Sequence, residues 1–165
     1  MIMKRTIHDE GHFRKFLVIV DDTEECDRAI TYAAYRAAAT NGAVVMMVAI
    51  EPAHFQHWLG VKEIMLAEAN DAAQERLDQY KEQVERIATV PVECVIREGK
   101  VAEQIVSLID EDEDIGILVL ASAVGKKEGP GPLVSSISSQ SNRPFPIPVT
   151  IVPGDLSDED IKALC

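Results

Sequence analysis

The run Ile115-Gly116-Ile117-Leu118-Val119-Leu120-Ala121 contains no polar side chain, and it opens directly into Ser122 to Ser136, a loop built largely of small residues. An apolar run of this length without polar alternation is a strand buried on both faces, as found where helices cover both sides of a parallel sheet. A Gly/Ser-rich turn that leads from such a strand into a helix start presents backbone N–H groups to an anion. The first helical turn leaves those donors unpaired and carries partial positive charge.

The rest of the chain repeats the strand–helix alternation. Phe16 to Val20 reads as the first strand, followed by Asp21-Asp22-Thr23, where Asp22 or Thr23 can cap a helix with Glu24 and Glu25 in its positive first turn. Cys26, Ala29, Ile30, Ala33, Ala34 and Ala37 fall three and four apart, and Asn41-Gly42 supplies a stop. Ala43 to Ile50 is the second strand. Val61 to Ala88 carries a helical stripe through Leu66, Ala73, Leu77 and Val84. Val92 to Ile96 is a more polar third strand, placed nearer an edge, and Val101, Ile105, Leu108 and Ile109 mark a short helix after it. Leu133 to Asn142 has weak helical periodicity, weakened further by its serines. Pro144, Pro146 and Pro148 lead to Val149 to Val152, a short edge strand. Ser157 with Asp160 suggests a capped turn or two of helix in the tail. The order predicts an α/β fold, an open, doubly wound five-stranded parallel sheet with helices on both faces, of Rossmann-like type. In such sheets the ligand crevice lies beyond the carboxyl ends of the strands, where the winding reverses. With the first and fourth strands adjacent, Asp21 and the Ser122 loop share that crevice.

At 165 residues the chain suits one domain. A formal charge of −12 disfavours binding to nucleic acid, whose phosphates need basic side chains. Cys26, Cys94 and Cys165 are odd in number, widely spaced and without Cys-x-x-Cys, which suggests free thiols rather than a disulfide or zinc framework. No signal-peptide pattern and no apolar stretch long enough for a bilayer is present, so a cytoplasmic protein without membrane contact is expected. His54 and His57 flank Phe55 near Trp58; with no third ligand nearby, a lid over the sheet edge is favoured over a metal site. The acidic run Asp110 to Asp114 lacks the glycine and alternation of a Ca²⁺ loop and reads as a solvated turn. No Walker-type loop or Gly-x-Ser-x-Gly elbow occurs, and all four histidines lie at positions 8, 12, 54 and 57. The expectation is no catalytic centre, or at most weak ATP hydrolysis.

These residues resemble the universal stress protein family over about Arg14 to Pro153. Asp21-Asp22-Thr23 matches the aspartate that ends the family's first strand. Ser122-x2-Gly125-x9-Ser135-Ser136 keeps the spacing of its G-x2-G-x9-G-[ST] loop, before the Pro148-Val149 strand. The resemblance divides the chain into an N-terminal extension, residues 1–13, the domain, 14–153, and a tail, 154–165. It implies binding of ATP or a related adenine nucleotide, with or without Mg²⁺, by Ile19, Asp21, Val48, Ala121, Ser122, Gly125, Ser135, Ser136 and Ile137. Lys126 and Lys127 are candidate phosphate contacts, a solvated loop tip being the competing reading. It also implies a homodimer through the last strand, Val149, Thr150, Ile151 and Val152. Serine in place of two glycines, with Pro130 and Pro132 removing two donors, leaves a second reading open: a dimeric scaffold for a protein partner that has lost the nucleotide.

Overall fold

Successive side chains of a strand go to opposite faces, so a strand apolar at every position must be covered on both sides. The computed structural model describes residues 5–52, 59–125, 135, 137 and 145–165. Its elements are β1 (Lys15–Ile19), α1 (Cys26–Ala39), β2 (Ala43–Ile50), α2 (Leu59–Ile87), β3 (Val92–Glu98), α3 (Val101–Glu111), β4 (Ile115–Ser122), β5 (Val149–Pro153) and α4 (Asp158–Leu164). The five strands form one sheet in the order β3-β2-β1-β4-β5, every neighbouring pair parallel. The fold class expected from the apolar runs is therefore the one observed, and β3 and β5 are the edges.

The strand alternation builds two cores. Phe16, Val18, Val44 and Met46 meet Ala29, Ile30, Ala33 and Ala37 of α1, Leu77 and Val84 of α2, and Ile161 of α4. Leu17, Ile19, Val45, Met47 and Leu118 meet Ile105, Leu108 and Ile109 of α3 on the opposite face. Alanines along α1 let its backbone approach the sheet closely. At 29 residues, about 43 Å of helix, α2 is far longer than the eight-residue β2 at about 26 Å. Val61 and Ile64 on its first turns stay exposed. No helix among the described residues is long and apolar enough to cross a membrane.

Two expectations need correction. Neither Asp22 nor Thr23 caps α1, which starts later, after Glu25, with no side-chain cap. The N–H and hydroxyl of Thr23 both turn back onto the Asp21 carboxylate instead. The acidic run at 110–114 is not merely a solvated turn. Asp112 accepts from Lys15 Nζ at 2.7 Å, Lys15 also reaches Glu93 at 2.9 Å, and Asp114 pairs with His12 Nδ1 at 2.8 Å.

The segment ahead of β1 is fastened to the sheet and to α3. Residues 5–14 cross the amino end of the sheet as a strap. Arg5 Nη1 donates to the carbonyls of Ile109 and Asp112, the Thr6 N–H donates to Glu113 O, and the Thr6 hydroxyl donates to Asp114. At the other end of the chain, Ser157 and Asp160 form the expected capping box, which starts α4 and sets Ile161 wholly inside the first core. The lid residues Phe55 and Trp58, with His54 and His57, lie outside the described residues, as does most of the 133–142 stretch.

Candidate functional site

The crevice follows from the register. Leu17 and Val18 lie opposite Leu118 and Val119, and continuing that register past β1 brings Asp21 level with Ser122. This is the switch point, because α1 leaves β1 for one face of the sheet while α3 reaches β4 on the other. Ser122 belongs to β4 itself rather than to the loop, since β5 extends to Pro153 and pairs with it.

Asp21 is partly exposed. Its Oδ1 accepts from the Thr23 N–H at 3.0 Å and from the Thr23 hydroxyl at 2.5 Å, a local Asx turn that fixes the carboxylate. Among the described residues Oδ2 accepts no bond. The neighbouring Cys26 thiol donates to Ile19 O at 3.7 Å, and burial, with the Asp21 charge adding to it, pushes that thiol up to about 11. Burial also raises the Tyr80 hydroxyl above the ordinary tyrosine value, helped by the nearby Cys26. Cys26 and Tyr80 thus stand beside Asp21 as uncharged groups.

Gly125 adopts φ +71°, and a Cβ there would meet nothing within 4 Å, so glycine is favoured by conformation and not by crowding. A left-handed residue shortly after a strand turns consecutive N–H groups toward one point, as anion-binding loops do. Gly154, just past β5, is different. A Cβ there would collide with the Ser122 carbonyl and come within 3.1 Å of Glu25 Cβ, so the turn after β5 closes on the end of β4.

Ile19 and Val48 are 5% and 7% exposed, and their side chains enter opposite cores. They build the crevice floor by packing. Ala121 and Ser122 end β4 half-buried at its rim. Ser135 is exposed and Ile137 packs on the α3-side core, both with helical backbone. Ser136, Lys126 and Lys127 lie outside the described residues. The sequence reading missed Thr23 as the clamp of Asp21, Gly154 as the contact behind Ser122, and the Cys26–Tyr80 pair. The Asp-x-Thr spacing was the available signal for the first. Among the described residues no group of three or more His, Cys, Asp or Glu could hold a metal ion.

The sequence model of the universal stress protein family matches residues 12–153. The chain belongs to this family. Solved universal stress proteins share its fold. UspA from Lactobacillus plantarum superposes with a TM-score of 0.70 at 18% identity, covering 84% of this chain and 97% of that one. A universal stress protein in complex with cAMP gives 0.64 at 19% identity, over 86% and 98%. The universal stress protein from Archaeoglobus fulgidus in complex with dAMP gives 0.61 at 17%, over 92% and 99%. Comparison with curated protein sequences returns no match.

Proposed function

We propose that this universal stress protein binds an adenine nucleotide, ATP or a related form, in the crevice between the ends of β1 and β4. The observation that carries this reading is the Asp21 carboxylate. One oxygen is held by Thr23 and the other accepts nothing among the described residues, beside a half-buried rim at Ser122. A fixed acceptor of this kind suits a ribose hydroxyl pair, and the left-handed turn at Gly125 suits a phosphate. Family relatives crystallised with cAMP and dAMP support the same ligand class. Bound nucleotide would act as a signal in the stress response.

Isothermal titration of nucleotide-stripped protein with ATP, with and without Mg²⁺, tests the proposal. Saturation near one site per chain is expected, with Asp21→Ala and Gly125→Val each weakening binding by about tenfold or more, about 1.4 kcal/mol. Full affinity in both variants would remove this site, and no heat at millimolar ATP would remove the ligand.

The dimer is part of the same proposal. β5 is an edge strand, and Ile151 on it is 47% exposed, an apolar side chain suited to a second copy. Ser122 and Ser135 in place of glycine favour a second reading, in which the dimer serves a protein partner without nucleotide.

A further inference from the structure

The turn that follows β5 stands between the two walls of the Asp21 crevice, and it lies beyond residues 12–153, the span matched by the family model. Pro153 pairs with Ser122 at the end of the β4–β5 ladder, and the Leu156 N–H closes the turn onto the Pro153 carbonyl at 3.4 Å. Gly154, inside that turn, meets the β4 side and the α1 side at once. A Cβ on it would collide with the Ser122 carbonyl, lie 3.3 Å from Val124 Cγ2, and lie 3.1 Å from the Cβ of Glu25, the residue that leads into α1. The φ of Gly154 is outside the left-handed region, so contact and not conformation calls for glycine here.

The position of the turn is fixed by α1. Arg28 Nη1 donates to the Leu156 carbonyl at 2.9 Å, and its Nη2 pairs with Asp158 at 2.7 Å as well as with Asp27. Ile161 of α4 is wholly buried in the first core and Arg36 donates to the Cys165 carbonyl, so residues 154–165 are fastened along α1. The turn is thus a spacer of set thickness. On one side of it are Ser122 and, three residues on, the left-handed Gly125. On the other is the start of α1, joined to the Asp21 clamp through the bond from the Cys26 N–H to the Thr23 carbonyl.

We propose, on the basis of the nucleotide reading of the crevice, that Gly154 is a positioning residue for the phosphates. Acting through Ser122 and held by Arg28, it fixes the separation between the Gly125 turn and the Asp21 carboxylate. A methyl group at position 154 has a backbone carbonyl in its way on the β4 side, whereas the Glu25 contact needs to yield by only a few tenths of an ångström. The displacement therefore falls on Ser122 and passes to Gly125, while Thr23 keeps the Asp21 carboxylate in place. Ligands that carry phosphates feel the change, and a bare nucleoside does not.

The test is isothermal titration of the full chain with ATP and with adenosine, on wild type, Gly154→Ala, Arg28→Met and the double variant. ATP binding should weaken about tenfold in Gly154→Ala and by a smaller factor in Arg28→Met, with adenosine affinity changed less than about twofold in each. The double variant should bind ATP better than the product of the two single losses, because a turn released from Arg28 gives way to the new Cβ. Arg28→Lys, which keeps a donor and a charge, should stay near wild type. Circular dichroism qualifies each variant as folded. Should Gly154→Ala fail to fold, Arg28→Met against Arg28→Lys carries the same comparison of ATP with adenosine. Equal losses of ATP and adenosine, or losses that simply multiply in the double variant, would make both residues general supports of the fold and overturn the proposal. Unchanged ATP affinity in Gly154→Ala would overturn it too, with nucleotide binding itself intact. Wild type that binds neither ligand would instead remove the crevice reading, and the spacer with it.

Discussion

Gly116 lies under the strap, and a Cβ on it would fall 2.5 Å from Ile7 Cδ1. Gly116→Ala therefore pushes the flexible end of the Ile7 side chain aside, a rotamer shift that costs about 0.5–1.5 kcal/mol. Urea unfolding measures it, and an unchanged midpoint would mean that Ile7 yields freely. The thiols give a second prediction. Cys26 is 3% exposed and burial pushes it up to about 11, whereas Cys94 is exposed on the edge strand β3. Iodoacetamide on native protein at pH 8 should label Cys94 and leave Cys26 unmodified until denaturant is added, as read by peptide mass spectrometry. At this scale the sequence was legible where chemistry is local. Asp21 is recognisable from its place at the end of an apolar run. The destination of Thr23 was not, because the same hydroxyl can serve a helix N–H or the carboxylate two residues back, and the backbone angles decide between them.

Between elements, the strap and the α3–β4 turn are coupled through charge. Partial burial alone would raise the Asp114 carboxyl. Hydrogen bonds from Thr6 and His12, with the nearby Lys15 charge, nevertheless hold it below its ordinary value. A carboxylate lowered in the folded state contributes stability that is present above the ordinary value of about 3.9 and is lost as pH falls through the lower folded value. The strap should therefore loosen in acid below about pH 4, and Asp114→Asn should flatten that dependence; NMR of the Thr6 and Lys15 amides across this range checks both. In α4, Ser157→Ala removes the cap that accepts from the Asp160 N–H and should cost about 1 kcal/mol in thermal unfolding. The strands were readable because apolar runs bounded by charged or turn residues need no distant information. The strap was not: residues 5–14 have no periodicity, and Arg5 finds Ile109 across 104 residues of chain.

The whole molecule is built on one parallel sheet, with the proposed Asp21 crevice at the carboxyl end of its strands and the strap across the amino end. Its edges differ in kind. β3 carries Glu93 and Arg97, the latter in a bidentate pair with Glu111 whose carboxyl Arg97 draws down to about 2. β5 offers the exposed Ile151. If β5 is the seam of the proposed dimer, Ile151→Glu should convert the protein to monomer in analytical ultracentrifugation while leaving its circular dichroism unchanged; a dimer that persists would place the seam elsewhere. Charged side chains on an edge discourage strand addition, which leaves β5 as the edge open to a second copy.

The strand order also governs how the protein comes into being. β1 precedes the other strands in the chain yet lies between β2 and β4. During synthesis one side of β1 can pair as soon as β2 emerges, but its other side waits until Leu118 and Val119 have been made. The nascent chain thus carries an open edge, apolar from Phe16 to Ile19, through most of its translation, the interval in which it depends most on protection from association. The Asp21 crevice is built on that late seam between β1 and β4, whereas the strap is anchored on Ile109 to Asp114, just ahead of β4. A ribosome-bound fragment that stops short of β4 therefore already holds the partners of the strap but lacks one wall of the crevice, so the chain can fasten its beginning before the crevice exists.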